Sequence, residues 1–234
     1  FHAVKEMGFS VSEVDKLSGP ILGRPKSATF RTCDVVGLDT LVHVANGLKQ
    51  NCPDDEEKEL FELPEYISKM VENNWLGSKS GQGFYKKEKD ENGKKTILAL
   101  DLNTLEYKKS EKVKFPTLEM AKPIEDLKQR TKMLVMGMDK AGEFYRRIFG
   151  GLLAYVSNRI PEISDEFYKI DDALKAGFGW ELGPFESWDL FGYEQGVKFI
   201  KDANKTMGPA IDKMREAGMT SFYKSENGRK MFFD

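Results

Sequence analysis

SATFRTCDVVG at 27–37 and LGPFESWDLFG at 182–192 are one pattern written twice. Phe30 pairs with Phe185, Asp34 with Asp189 and Gly37 with Gly192, at a constant separation of 155 (189 − 34). A second match follows in the same order. YISKM at 66–70 with FYKKEKDENGKK at 84–95 has a shortened echo in AIDKM at 210–214 with FYKSENGRK at 222–230, pairing Met70 with Met214 and Asn92 with Asn227. Matches that keep their order across both halves indicate a duplicated structural unit.

The segments around these matches read as helices. Ser10 and Glu13 have capping-box spacing ahead of VSEVDKL, and Gly19 with Pro20 ends that helix. Asp39 is placed to cap TLVHVANGLKQ, where Leu41, Val42, Val44, Ala45 and Leu48 form an apolar stripe at helical spacing, expected to be core. Pro64 suits the first turn of PEYISKMVENNW, with Ile67, Met70, Val71 and Trp75 on one face. The β-favourable pieces GFYKK and KTILAL, separated by an ENG turn, predict a hairpin. Residues 100–124 are charged and aperiodic, with Pro116 and Pro123, and read as an irregular linker. Beyond it, IEDLKQRTKMLVM and DKAGEFYRRIFGGLLAYVSNRI predict long helices interrupted at Gly150, Gly151 and Pro161. The expected fold is mainly α: two related helical-bundle units in tandem, 1–115 and 116–234, each with a small β-hairpin.

Composition narrows the function classes. The 234 residues are 40% hydrophobic, 32% charged and 12% aromatic, the balance of a folded globular chain. Lys plus Arg number 36 against 38 acidic residues, so no net field draws the chain to nucleic acid or to an anionic membrane. No apolar run approaches the length a spanning helix needs. Cys33 and Cys52 lie in unlike settings, which favours a reducing compartment over a disulfide framework, and cytoplasm is the expectation. The first residues read as the end of an amphipathic helix and the last as an apolar strand, so the sequence is expected to be a piece of a longer protein. The runs DDEEKE and KKEKDENGKK read as solvated loops, and the ten methionines as adaptable packing.

GPILGRPKSATFRTCDVVGLDTLVHVA, followed by LGSKSGQGFYKK, resembles the C-terminal domain of 3-hydroxyacyl-CoA dehydrogenases, and AGFGWELGPFESWDLFG resembles a second copy. The resemblance covers nearly the whole chain apart from the linker, and it implies a helical domain like the C-terminal domain of 6-phosphogluconate dehydrogenase. It also implies a parent enzyme of fatty-acid β-oxidation that oxidises an L-3-hydroxyacyl-CoA with NAD. The histidine base, its carboxylate and the dinucleotide site are implied in a separate domain. No cofactor and no metal are therefore expected on this chain. The acyl-CoA would be shared with that domain, and a homodimer and an enoyl-CoA hydratase module are partners the resemblance allows. The competing reading is a non-catalytic helical scaffold derived from the same domain.

Within that resemblance the candidate substrate contacts are Pro25, Lys26 and Ser27 of GRPKS, with Lys26 able to offer charge to a CoA phosphate or carbonyl. The same residues also suit a stiff turn between helices. No catalytic residue is expected in the chain. Asn158, followed by Arg159, matches the family's substrate-binding Asn-Arg locally, but pairing Val11 with Ile170, a separation of 159, places it later than that Asn should fall, so it reads either as a functional amide, the one catalytic candidate, or as a group that satisfies a helix end near Pro161. His43 is expected to pack or to hydrogen-bond within its apolar helix, and His2 lies at the amino end. Trp180 and Trp188 read as core. GSKSGQG lacks the spacing and the strand-to-helix setting of a dinucleotide-binding loop, and two His with two Cys give no metal-ligand spacing.

Overall fold

The computed structural model describes residues 1–89, 93–111, 113–226 and 229–232. It is mainly helical and divides into two compact units, one of residues 1–19 and 26–113 and the other of residues 20–25 and 114–234.

The first unit contains α1 (His2–Glu6), α2 (Val11–Ser18), α3 (Phe30–Val36), α4 (Leu38–Asn51) and α5 (Glu65–Glu72), followed by strands β1 (Tyr85–Lys89), β2 (Lys95–Leu100) and β3 (Tyr107–Lys109). The strands form one antiparallel sheet in the order β1-β2-β3, with Tyr85 opposite Ala99 and Leu98 opposite Lys109. Ser10 and Glu13 cap α2 reciprocally, as their spacing predicts. The core gathers the inward residues of each helix: Val11, Leu17, Phe30, Ile67, Met70 and Phe84 are fully buried, and the Phe30 and Phe84 rings approach to 4.5 Å.

The second unit contains α6 (Pro116–Ala121), α7 (Leu127–Met136), α8 (Lys140–Asn158), α9 (Phe167–Phe178), α10 (Pro184–Phe191), α11 (Tyr193–Asp202) and α12 (Pro209–Glu216), then the hairpin β4 (Tyr223–Glu226) and β5 (Arg229–Phe232). Its centre repeats that of the first unit. Phe185, the counterpart of Phe30, lies 4.9 Å from Phe222, the counterpart of Phe84. Gly37 and Gly192 each join two helices at a positive φ, 101° and 86°, which a residue without Cβ adopts without strain.

Five local expectations are corrected. Asp39 does not cap α4, because the helix begins two residues earlier than expected, at Leu38 with Gly37 at the cap position, and the Asp39 carboxylate binds Lys79. The stripe on α4 is not core: Ala45 is buried, but Val44 is 51% exposed and Leu48 39%, with Leu41 and Val42 half-buried. His43, expected to pack on that helix, is exposed. Residues 100–124 hold β3 and α6. The N-terminus of α6 is fixed by Asp139, which accepts from Thr117 N at 2.9 Å and Thr117 Oγ1 at 2.6 Å, a bond across 22 residues that no local pattern reveals. Finally, α8 runs unbroken through Gly150 and Gly151. A Cβ at Gly150 would fall on the Phe199 carbonyl oxygen, so that glycine admits α11 rather than ending α8. The ENG turn and the pairing of Asn92 with Asn227 lie outside the described residues.

Candidate functional site

The polar centre of the first unit is built from Asp15 on α2, Asp34 on α3 and Tyr85 on β1. Asp34 Oδ1 accepts from Phe84 N at 2.7 Å and Oδ2 from Tyr85 N at 2.9 Å, which fixes the sheet entrance to α3. The Tyr85 hydroxyl donates to Asp15 Oδ2 at 2.8 Å. Asp15 also accepts from the backbone N–H groups of Thr29, Phe30 and Arg31 at 3.0, 2.6 and 3.1 Å, supplying the cap that Thr29 does not give α3.

The second unit contains the same arrangement. Asp189 accepts from Phe222 N at 2.8 Å and Tyr223 N at 2.9 Å. The Tyr223 hydroxyl donates to Asp171 Oδ2 at 2.8 Å, and Asp171 accepts from Phe185 N and Glu186 N at 2.9 Å each. Asp171 thus answers Asp15, a separation of 156 (171 − 15), which replaces the 159 inferred from Val11 and Ile170.

Burial dominates the electrostatics of both sets. It pushes Asp34 and Asp171 up to about 6 against the opposing pull of the N–H donors, and it raises Asp15. Burial, then the neighbouring carboxylate, raises the phenols of Tyr85 and Tyr223. Both oxygens of Asp15 are engaged by donors, so this carboxylate is occupied as an acceptor and not poised to take a substrate proton. The arrangement holds sheet to helix. Sequence reading caught Asp34 and Asp189 through the repeat and missed the two Asp–Tyr pairs. Their signal was present in the repeated Phe-Tyr of FYKK and FYKS.

The glycines of GSKSGQG also serve this arrangement. A Cβ at Gly77 would fall on the Asp34 backbone carbonyl, and one at Gly83 on its carboxylate. Those glycines therefore let the backbone close around Asp34. Strand pairing among the described residues is antiparallel throughout, with no parallel strand-turn-helix of the kind that cradles a pyrophosphate.

GRPKS is exposed at Pro25 and Lys26 alone, with Gly23 buried and Arg24 and Ser27 half-buried. In the second unit the Gly23 carbonyl accepts from Glu181 N at 2.9 Å, the Arg24 guanidinium lies 3.9 Å over the Trp180 ring, and Pro25 is exposed. Burial lowers Arg24 to about 10, with Tyr145 the opposing influence. In the first unit Lys26 is exposed, and the half-buried Ser27 accepts from Thr32 Oγ1 at 2.8 Å. Lys26 borders a cavity of about 360 Å³ with Ser12, Asp15, Lys16, Arg31 and Tyr85. Sequence reading missed Arg24, whose only cue was its place in the motif.

Asn158 closes the end of α8: its amide donates to Ala154 O and to Thr206 O, each at 3.1 Å. Trp188 is fully buried, whereas Trp180 is half-buried beneath Arg24. Among the described residues no three His, Cys, Asp or Glu side chains gather as a metal site. No helix among them is long and apolar enough to cross a membrane.

Helices carrying short antiparallel hairpins, with an Asp–Tyr pair tying each hairpin to its helices, define the class: a mainly helical domain built on a repeated unit. Residues 1–87 match the family "3-hydroxyacyl-CoA dehydrogenase, C-terminal domain". It is 45% identical over 234 residues to a "Probable 3-hydroxyacyl-CoA dehydrogenase" of Bacillus subtilis, covering 99% of this chain and 29% of the relative. A Deinococcus radiodurans protein of the same description is 51% identical over 88 residues, 38% of this chain and 25% of that protein. A "Putative fatty acid oxidation complex trifunctional enzyme" of Rickettsia felis is 26% identical over 192 residues, 82% of this chain and 25% of its own length. The chain thus spans less than a third of each of these relatives.

Proposed function

We propose that this chain is the C-terminal substrate-binding and assembly region of an NAD-dependent L-3-hydroxyacyl-CoA dehydrogenase of fatty-acid β-oxidation, working in the cytoplasm. The observation that carries the reading is the alignment with the Bacillus subtilis relative over 99% of this chain, through both units. In this reading 1–115 and 116–234 are two copies of one domain. Pro25, Lys26 and Ser27 face the acyl-CoA, while the dinucleotide and the proton-accepting base belong to another part of the longer protein. The exposure of Lys26 beside Lys16 and Arg31 supports a role toward an anionic substrate. The saturated acceptors of Asp15 and the exposed position of His43 support a chain that is silent by itself.

The test is acetoacetyl-CoA reduction with NADH. This chain alone is expected to give no turnover, and the Bacillus subtilis relative carrying this chain in place of its aligned segment is expected to retain activity. Robust turnover by the chain alone would overturn the placement of the base. An inactive but folded chimaera would overturn the substrate role and leave the scaffold reading.

A further inference from the structure

Two cavities of about 240 and 360 Å³ in the first unit share Arg31, Tyr85 and Ile97 as a common wall. Lys87 lines the smaller, Lys16 and Lys26 the larger. Tyr85 and Lys87 are alternate residues of β1, and Lys87 lies opposite Ile97 on β2, so the three sit on one face of the sheet. Lys26, Arg31 and Lys87 are exposed, and none of them has an ion pair among the described residues. The acids in the walls are Asp15 and Asp34, whose oxygens are taken by backbone N–H groups and the Tyr85 hydroxyl. The two cavities together make a groove whose exposed cations are not matched by ion pairs.

The repeat shows that the fold does not require these charges. With Asp15 answering Asp171, Lys16 answers Asp172; at the separation of 155, Lys26 and Arg31 answer Glu181 and Glu186; and with Tyr85 answering Tyr223, Lys87 answers Ser225. Three cations thus stand where the second unit has acids, and the fourth where it has a hydroxyl. Glu186 serves structure: Oε2 accepts from Gly183 N at 2.8 Å, capping α10, and Oε1 meets Lys175 at 3.3 Å. In the first unit Asp15 supplies the cap instead. Arg31 lies 4.9 Å over the Tyr85 ring from the first turn of α3, where a cation opposes the helix dipole. A charge kept against local stability, in one copy alone, marks a binding role.

We propose that this groove binds the phosphates of a small molecule that carries a diphosphate, with Arg31 holding one phosphoryl group and Lys87 and Lys26 answering the charge on either side of it. The planar fork of a guanidinium matches two phosphate oxygens at once. Cations on both sides of Arg31 call for more than one anionic group. Ile97 and Val35, 47% and 71% exposed, border the smaller cavity and offer an apolar surface to the rest of the molecule. Nucleoside diphosphates and coenzyme A both present that combination. The inference goes beyond the proposed function, because it rests on charges within the first unit and not on the dehydrogenase reaction, and binding without turnover tests it alone.

The experiment is calorimetric titration of the whole chain with pyrophosphate, ADP and coenzyme A at low salt. Arg31→Glu, which installs the second unit's residue, is expected to weaken binding about ten- to a hundredfold, the loss of a charged hydrogen bond. Lys128→Glu, the same charge change at the second residue of α7 on an exposed position, is expected to leave binding intact. Thermal melts of Arg31→Glu should hold or rise, since an acid suits a helix N-terminus, whereas a purely structural role on Tyr85 would lower them. Should that variant melt early, Lys26→Glu combined with Lys87→Ser, both at exposed positions, decides the matter and is expected to weaken binding about tenfold. Tighter binding of coenzyme A than of ADP assigns the groove to that carrier, equal binding assigns it to the diphosphate alone, and either supports the site. No binding of any of the three, or binding that the folded variants leave at the parent affinity, overturns the proposal.

Discussion

Replacing Asp34 with alanine should destabilise the first unit, and more at pH 4 than at pH 7. The substitution leaves Phe84 N and Tyr85 N without their acceptor. An orphaned buried donor costs about 1–3 kcal/mol, so the pair costs roughly 2–6 kcal/mol. An opposing contribution comes from the carboxylate itself. Burial lifts Asp34 from its ordinary 3.8 to about 6, so between those values the folded chain binds a proton that the unfolded chain has released. The stability that Asp34 contributes is therefore greatest below 3.8, falls as pH rises toward 6, and levels off above it. At 1.36 kcal/mol per pH unit the fall amounts to about 3 kcal/mol. The alanine variant lacks it, so the destabilisation measured by urea unfolding should shrink by about 3 kcal/mol between pH 4 and pH 7. Exchange of residues 77–89 should report the loss while that of 219–226 stays as in the parent. A penalty that is flat with pH, or that grows toward pH 7, would refute the reasoning, because it would mean that the two N–H donors outweigh burial and keep Asp34 ionised.

Tyr85→Phe and Tyr223→Phe each delete one hydroxyl bond to an aspartate, half-buried Asp15 and buried Asp171 respectively, and urea unfolding should show a loss of about 1.5–3 kcal/mol for either. Gly150→Ala should cost about 1–3 kcal/mol by forcing α8 from the Phe199 carbonyl, while Gly151→Ala, with nothing within 4 Å of the new Cβ, should raise stability by up to about 1 kcal/mol; thermal melts of the pair test whether close approach governs the first site. Burial pushes the Cys33 thiol up to about 12, so at pH 8 a mass-spectrometric alkylation time course should modify Cys52 well before Cys33.

The elements most legible in sequence are those whose determinants are local. The capping box of Ser10 and Glu13, the stripe of Ile67 and Met70 on α5, and the β-favourable runs of β1 and β2 depend on neighbours within a few residues, and they form where their spacing puts them. The start of α6 was illegible because Asp139 fixes it from 22 residues away. The course of α8 was misread for a related reason. A glycine pair weakens a helix in isolation, but at Gly150 the missing side chain is what a packed neighbour requires, and tertiary contact outweighs a propensity of about 1 kcal/mol.

The site was legible as a pattern before it was legible as geometry. Phe30, Asp34 and Gly37 announced themselves by recurring, yet recurrence cannot say what a residue touches. Asp15 and Asp171 sit among dissimilar neighbours, VSEVDKL and KIDDALK, so an alignment by hydrophobic stripe slipped three positions and hid the correspondence. The hydrogen bonds restore it, because a tyrosine hydroxyl at 2.8 Å from an aspartate that also caps the next helix is a demanding arrangement, and both units meet it. Apolar stripes tolerate substitution and shift, whereas a buried carboxylate needs its donors in place. Register between diverged copies is therefore better read from buried polar pairs than from the apolar faces around them.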